Sequence, residues 1–202
     1  LLDLLQPIPG DQTAIILPDE GVKVTYDTLR QQVQAVADSF ASAGIGRGDR
    51  VAMALPNGLP ALVCFLWASV AGTAAPLNPG YREEEFKFYL EDTNARLLVV
   101  LPTGADDARR AAGGRVPVVT VTYDSTGRIE LSGANGGRKA SAPSPDDVAL
   151  VLHTSGSTGR PKRVPLKQGN LAVSVGNVRQ TYALQPDDVS LCVMPLFHVH
   201  GI

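Results

Sequence analysis

Residues 50–77, RVAMALPNGLPALVCFLWASVAGTAAPL, carry the pattern that decides the fold. Residues 50–55 are typical of a buried β-strand, residues 59–71 of a buried helix, and residues 73–77 of a second short strand. Prolines and glycines separate the three elements. Because two strands joined through a helix can pair in parallel, the stretch predicts a β-α-β unit of a parallel sheet.

The same stretch lies in a longer run, residues 51–81, that has no charged side chain and could be mistaken for a membrane span. Prolines and glycines interrupt this run at residues 56–60 and again at residues 72–76. They leave a helix of about a dozen residues, whereas about 20 are needed to cross a bilayer. We therefore predict a buried strand-helix-strand unit and no membrane span.

Strand and helix patterns alternate on both sides of this unit. Before it, apolar side chains recur at helical spacing after a candidate N-cap at Thr25 and stop at Gly44. After it, glutamates at residues 83–85 open a helix, where negative charge suits the amino end, and residues 96–101 and 116–123 are strand-like. This alternation predicts a mostly parallel α/β sheet with helices on both faces and right-handed crossovers.

A change of composition marks the last third of the chain. Residues 131–147 are rich in Gly, Ser, Ala, Asn and Pro, which predicts a surface loop or linker after an α/β subregion at residues 1–130. Residues 148–202 then have the patterns of a strand, a glycine-rich loop, a helix at 170–182 and a final strand at 189–197. The loop is thus expected to join a strand to a helix.

Composition excludes several classes of protein. The chain has 202 residues and a formal net charge of −2, with no long basic run, so it has no nucleic-acid-binding surface. Cys64 and Cys192 each lie in an apolar run, which predicts two buried free thiols in a reducing compartment. The chain opens without methionine or a signal-peptide pattern and stops just after an apolar run, so we expect both ends to be cut from a longer protein.

Residues 152–166, LHTSGSTGRPKRVPL, form the segment with the clearest chemistry. Gly156 and Gly159 permit backbone conformations in which consecutive N–H groups point inward and bind an anion. Lys162 adds a mobile charge worth about 4 kcal/mol at an effective dielectric of about 20, against about 0.3–1 kcal/mol for a helix dipole. Four hydroxyls can donate to phosphoryl oxygens, those of Thr154, Ser155, Ser157 and Thr158.

A solvent-exposed turn is the other interpretation of such a segment. Its position directly after a buried strand favours binding, because open α/β sheets bind ligands at the carboxyl ends of their strands. It is not a Walker loop, which has four residues between its glycines where Gly156 and Gly159 have two. The GIGRGD at residues 44–49 follows a helix and not a strand, so it is no dinucleotide fingerprint.

The segment SGSTGRPK at residues 155–162 resembles the phosphate loop of the adenylate-forming superfamily, which includes acyl-CoA synthetases, luciferases and nonribosomal adenylation domains. Further stretches resemble successive segments of the same enzymes, in the same order, so that the resemblance covers nearly the whole chain. These stretches are GDRVAMALPNG (48–58), AGTAAPLNPGYREEEFKFYLED (71–92) and PLFHVHG (195–201). His153, the VPL after the loop and the HVHG ending are most similar to the branch of oxalate-CoA and 4-coumarate-CoA ligases, a peroxisomal or cytosolic group.

The resemblance implies an ATP-dependent carboxylate-CoA ligase. A carboxylate attacks the α-phosphorus of ATP to give an acyl-adenylate and pyrophosphate, and the thiol of coenzyme A then displaces AMP to form a thioester. Lys162 is implied as the catalytic residue, since it offsets charge on the departing pyrophosphate by electrostatic positioning. The β- and γ-phosphates are assigned to Thr154, Ser155, Gly156, Ser157, Thr158, Gly159 and Lys162.

The remaining polar residues are harder to assign. Mg²⁺ is implied as a bridge between phosphate oxygens, with no protein ligand that we assign in this chain. His198 matches a histidine that lines the acyl pocket, and the alternative is a hydrogen-bonded structural histidine. For His153 and His200 the structural interpretation is preferred. Arg163 stands where the family usually has glycine; it is strained by roughly 1 kcal/mol or more if the position needs a positive φ, or adds a second phosphate-facing cation, or points to solvent.

Several parts of the family pattern do not occur in residues 1–202. They are a Tyr-Gly-x-Thr-Glu segment for adenine and magnesium, an aspartate for the ribose, a hinge, and a small C-terminal domain with a catalytic lysine. We therefore expect a partial N-terminal AMP-binding domain that is inactive alone and whose uncovered apolar surface favours a dimer. A non-catalytic nucleotide-binding module shares the loop and is an alternative function, as is an association module, which would not need the loop.

Overall fold

The computed structural model describes residues 1–132, 139–154 and 161–202. Within these ranges the chain begins with a short 3-10 helix at Leu2–Leu4 and forms nine strands and five α-helices. The strands are β1 (Thr13–Leu17), β2 (Val22–Thr25), β3 (Arg50–Ala54), β4 (Thr73–Pro76), β5 (Ala95–Val100), β6 (Val118–Tyr123), β7 (Ile129–Ser132), β8 (Val148–Thr154) and β9 (Lys162–Lys167). The helices are α1 (Tyr26–Ser42), α2 (Leu59–Ala71), α3 (Glu83–Thr93), α4 (Asp106–Ala112) and α5 (Gln168–Thr181).

Seven strands form one sheet in the order β7-β6-β5-β3-β4-β8-β9. Its five inner strands pair in parallel, while β7 and β9 run antiparallel at the two edges. Strands β1 and β2 form a separate antiparallel pair. The predicted mostly parallel α/β sheet is confirmed, and the β-α-β unit of residues 50–77 lies at its centre as β3, α2 and β4.

The two faces of the sheet bury different layers because side chains alternate along each strand. Val51 and Met53 pack in the layer of α1 and α2, whereas Ala52 and Ala54 pack in the layer of α3 and α4. In the first layer the fully buried ring of Trp67 stacks on the equally buried Phe40 with centroids 3.7 Å apart. The apolar periodicity of the helices thus directs each of them onto one face of the sheet.

The ends of α1 and α2 follow from single residues. The hydroxyl of Thr25 accepts a hydrogen bond from the Thr28 N–H at 3.3 Å and caps α1, and Gly44 follows the helix with a φ of +86°, as predicted. At the end of α2 the backbones crowd together. A Cβ on Gly72 would lie 2.6 Å from the carbonyl oxygen of Asp49, so only glycine permits this close approach.

The predicted final strand at residues 189–197 is wrong. In the part of the chain that the structure describes, these residues form no ladder with another strand. A strand without a neighbour leaves its backbone groups to water, and Leu191 is accordingly 82% exposed. The same exposure makes Cys192 an accessible thiol, contrary to prediction. Cys64 is buried as predicted, and burial raises the pKa of its thiol to about 12.

Two further boundaries differ from the sequence prediction. β7 extends through Ser132, so residues 131 and 132 belong to a strand and not to the loop expected there. Residues 162–167 form β9, whereas the sequence predicted that the loop leads directly into a helix. Pro165 in the middle of β9 makes its sequence atypical of a strand. Proline is accepted there because β9 is an edge strand, in which a missing N–H need not break a ladder. Among the helices described, none combines the length and the apolarity needed to cross a membrane.

Candidate functional site

The candidate site lies where the neighbouring parallel strands β3, β4 and β8 have their carboxyl ends. We call this side of the sheet its carboxyl edge. Their last residues are Ala54, Pro76 and Thr154, and the three strands are neighbours in the sheet. This is the edge at which open α/β sheets bind ligands. The topology therefore places the start of the predicted phosphate loop at the position favoured for a binding site.

The loop connects two antiparallel strands. Thr154 at the end of β8 lies opposite Lys162 at the start of β9, and His153 lies opposite Arg163. The expectation that the loop joins a strand directly to a helix is thus corrected, since β9 intervenes before α5. The predicted phosphate ligands Ser155, Gly156, Ser157, Thr158 and Gly159 lie outside the described residues, so their role stays a prediction.

Thr154 and Lys162 stand together at the base of this loop. Directly opposed residues of an antiparallel pair have Cα atoms about 4.5–5.5 Å apart. Both residues are exposed. The ion pairs of the described residues do not include the Lys162 ammonium.

Arg163 is a strand residue, which removes the strain that a positive φ would impose. Asn94 and Ala183 are the non-glycine residues with positive φ in the described ranges, and Arg163 is not one of them. The Arg163 guanidinium donates a hydrogen bond to the backbone carbonyl of Asp92 near the end of α3. The guanidinium therefore has a contact with the protein and does not point to solvent alone.

His153 is held on the adjacent strand by the same helix. Its Nε2 lies 2.9 Å from Oδ2 of Asp92, and its side chain is only 7% exposed. The edge of the imidazole meets the ring of Tyr89 at a centroid distance of 4.7 Å, and Tyr81 stacks on Tyr89 at 4.8 Å. Burial, followed by the contact with Tyr89, raises the pKa of Tyr81, so its phenol stays protonated. These contacts give His153 a structural setting.

Asn57 holds residues 194–198, the segment that ends in His198, at the same carboxyl edge of the sheet. Its Nδ2 donates to the Met194 carbonyl at 2.9 Å, and its Oδ1 accepts from the Leu196 N–H at 2.8 Å. His198 itself is exposed, and its ring stacks on His200 with centroids 5.1 Å apart. The structure thus brings His198 to the sheet edge that carries Lys162. Sequence reasoning missed Asn57, for which the signal was an amide side chain directly after a buried strand.

A cleft of about 480 Å³ lies on the opposite side of the sheet, at the amino ends of β5 and β6. Three cationic side chains line it, and each has a carboxylate partner. Lys87 binds Glu83 at 2.8 Å, while Arg96 and Arg115 approach Asp49 at 3.9 Å and Glu91 at 3.6 Å. Because these charges are already paired and the cleft is lined by residues at the amino ends of the strands, it is not the candidate site.

Comparisons with known proteins agree with this geometry. The profile of the AMP-binding enzyme family matches residues 7–202. The chain is 40% identical over 202 residues to the "Probable CoA ligase CCL9" of Humulus lupulus, covering 96% of this chain and 38% of that protein. It is 42% identical over 188 residues to the oxalate–CoA ligase of Arabidopsis thaliana, covering 89% of this chain and 37% of that protein.

Solved structures show the same fold. ATP-bound MatB from Rhodopseudomonas palustris superimposes with a TM-score of 0.83 at 30% identity, covering 98% of this chain and 40% of that protein. The chain thus spans about two fifths of the length of the proteins it matches.

Proposed function

The chain belongs to the family of AMP-binding enzymes, and from this premise we propose that it forms the first part of an ATP-dependent carboxylate-CoA ligase, an acid-thiol ligase. In the proposed reaction a carboxylate oxygen attacks the α-phosphorus of ATP, and the bond from that phosphorus to the bridging oxygen of pyrophosphate breaks. The sulfur of coenzyme A then attacks the acyl carbon of the adenylate, and AMP leaves. ATP and coenzyme A are consumed as co-substrates.

The placement of Lys162 is the observation that carries this proposal. Lys162, which forms no ion pair with the described residues, stands opposite Thr154 next to a glycine- and hydroxyl-rich segment, where the parallel strands of the sheet have their carboxyl ends. A charge fixed there stabilises negative charge that develops on departing pyrophosphate, without taking part in a covalent step. The ATP bound in the related MatB supports a nucleotide as the ligand.

Lys162 acts with the other loop groups in this proposal. The hydroxyls of Thr154, Ser155, Ser157 and Thr158 and the backbone N–H groups of Gly156 and Gly159 donate to the β- and γ-phosphates in this proposal. Mg²⁺ is proposed to bridge phosphate oxygens, which are the hard ligands it prefers.

His198 is proposed to line the pocket for the acyl group. Asn57 holds its segment at the edge of the sheet that carries Lys162, so acid and phosphates would meet at one place. A small carboxylic acid is the proposed substrate class, because two of the similar proteins are named oxalate–CoA ligase. The same similarity supports a peroxisomal or cytosolic location.

Thioester formation tests the proposed function directly. The full-length protein that contains this chain, incubated with ATP, Mg²⁺ and coenzyme A, is expected to convert at least one acid of a panel of carboxylic acids, oxalate included. Mass spectrometry of the acyl-CoA product and of AMP provides the measurement. Absence of AMP and thioester with every acid, in a folded protein that still binds ATP, would favour a non-catalytic nucleotide-binding module.

Self-association of residues 1–202 is a second proposal. Apolar side chains of α5 and the segment after it are exposed, among them Val173, Tyr182 at 72% and Leu191. Exposed apolar side chains that form a patch mark a contact with another polypeptide, and we propose that these do so. We expect sedimentation to show a concentration-dependent dimer.

Matched variants identify the surface that forms this dimer. Tyr182→Ser combined with Leu191→Ser is expected to shift the chain toward monomer. Ile16→Ser, which removes an exposed apolar side chain of β1, is expected to leave the dimer unchanged. A monomer at every concentration of the unmodified chain contradicts the proposal.

A further inference from the structure

Asp92, near the carboxyl end of α3, touches both strands that lead into the phosphate loop. Its side-chain Oδ2 lies 2.9 Å from Nε2 of His153 on β8. Its backbone carbonyl accepts a hydrogen bond from the guanidinium of Arg163 on β9. His153 and Arg163 face each other across the ladder, one position before the pair of Thr154 and Lys162. One residue therefore holds both sides of the base of the loop.

The platform that carries Asp92 is itself well anchored. Phe86 and Leu90 bury the inner face of α3 in the sheet layer. The guanidinium of Arg50 at the start of β3 donates to the carbonyl of Thr93 at 2.6 Å. Tyr89, one turn before Asp92, packs its ring against His153. Asp92 is thus held in place relative to the sheet, and its own contacts hold the base of the loop.

The hairpin of β8 and β9 needs such a constraint. β9 lies at the edge of the sheet and is paired on one side with β8. An edge strand with a ladder on one side frays and twists more readily than an inner strand. Because Lys162 is the first residue of β9, fraying at this end would displace its ammonium relative to Thr154.

We propose that Asp92 is a positioning residue, which clamps β8 through His153 and β9 through Arg163 and so sets the place of Lys162 and Thr154 against the phosphates of ATP. The proposal rests on the proposed function. Misplacement of a binding group by about 1 Å can cost up to about 100-fold in rate. The effect is expected on use of ATP and not on binding of the acid, since Asp92 contacts the residues next to Thr154 and Lys162, whereas Asn57 holds the segment that leads to His198.

Matched variants separate the role of Asp92 from the effect of charge and exposure on α3. The Asp92 side chain is 35% exposed, but the side chain of His153 is only 7% exposed, so removal of the carboxylate leaves a nearly buried ring nitrogen without this partner and lowers stability as well. Glu91, its neighbour on α3, is a matched control because it carries the same charge and is more exposed. Its carboxylate approaches Arg115, which follows α4, at 3.6 Å. Arg115 also controls for Arg163, because both are exposed arginines that contact α3.

Steady-state kinetics of pyrophosphate release in the full-length protein test the proposal. Asp92→Ala is expected to lower kcat/KM for ATP about tenfold, with KM for the acid within about twofold of wild type. Asp92→Asn, which keeps a hydrogen-bonding oxygen, is expected to recover most of this loss. Arg163→Ala is expected to resemble Asp92→Ala, whereas Glu91→Ala and Arg115→Ala retain the wild-type value.

Amide hydrogen exchange on residues 1–202 provides a readout that does not depend on activity. Asp92→Ala removes the contact with His153 but keeps the backbone carbonyl that accepts from Arg163, so it is expected to accelerate exchange about tenfold at residues 151–154. Arg163→Ala is expected to do the same at residues 162–165, with the central strands unaffected in both variants. Unchanged exchange in these segments overturns the proposal, as does a wild-type kcat/KM for ATP in Asp92→Ala. If the full-length wild-type protein releases no pyrophosphate, the proposed function is wrong. The exchange experiment alone then tests whether Asp92 holds the base of the loop. Should Asp92→Ala fail to fold, Asp92→Asn and Arg163→Ala take its place in both measurements.

Discussion

Replacing Lys162 with alanine is expected to lower acid-dependent pyrophosphate release by the full-length protein by about 10²–10³-fold. The ammonium is exposed at the start of β9, opposite Thr154, and no carboxylate in the described ranges neutralises it. Loss of one fixed charge at the site where negative charge develops raises the barrier to the chemical step. The measurement is the initial rate of pyrophosphate release at saturating ATP and acid.

The same substitution is expected to leave stability almost unchanged, with a shift in Tm of less than about 2 °C. An exposed side chain without a partner contributes little to the folded state. Lys167→Ala provides the matched control at the other end of β9, where Lys167 binds Asp146 at 2.8 Å. It should lose little stability, because both partners of this ion pair are exposed, and no activity. Equal activity of wild type and Lys162→Ala would instead favour an association module.

Residues 1–202 on their own are expected to release no pyrophosphate with any carboxylic acid, while the full-length protein does. The chain spans about two fifths of the length of its relatives. The segments that the family resemblance assigns to adenine, ribose and the C-terminal lysine do not occur in it. Phosphate contacts alone do not bring the acid and the α-phosphorus into reacting geometry, which is where most of the rate enhancement arises.

A contaminating enzyme is the main source of error in this experiment. The Lys162→Ala variant of residues 1–202, purified in the same way, therefore serves as the control. Acid-dependent pyrophosphate release that is present in the unmodified chain and lost in this variant would show that the chain is active alone. Circular dichroism and a cooperative melting transition must first establish that both chains are folded.

Local patterns were sufficient to predict most of the elements. Residues 59–71 form α2 with the predicted bounds, and Thr25 caps α1 as expected. The failure at residues 189–197 has a different origin, because an apolar alternation forms a strand only where another strand is available to pair with it. The β9 strand was missed for the converse reason. β8 provides a partner that accepts KRVPLK despite its proline.

By itself the sequence determined the parallel α/β class, the bounds of the inner elements, and the position of a glycine- and hydroxyl-rich loop after a buried strand. These properties depend on neighbouring residues and on periodicity along the chain. Only the tertiary structure decided that Asp92 meets His153 and Arg163, 61 and 71 positions away, and that Asn57 holds a segment 137 positions away. Such contacts depend on the spatial order of the strands in the sheet, since that order brings side chains that are distant in sequence within hydrogen-bonding distance.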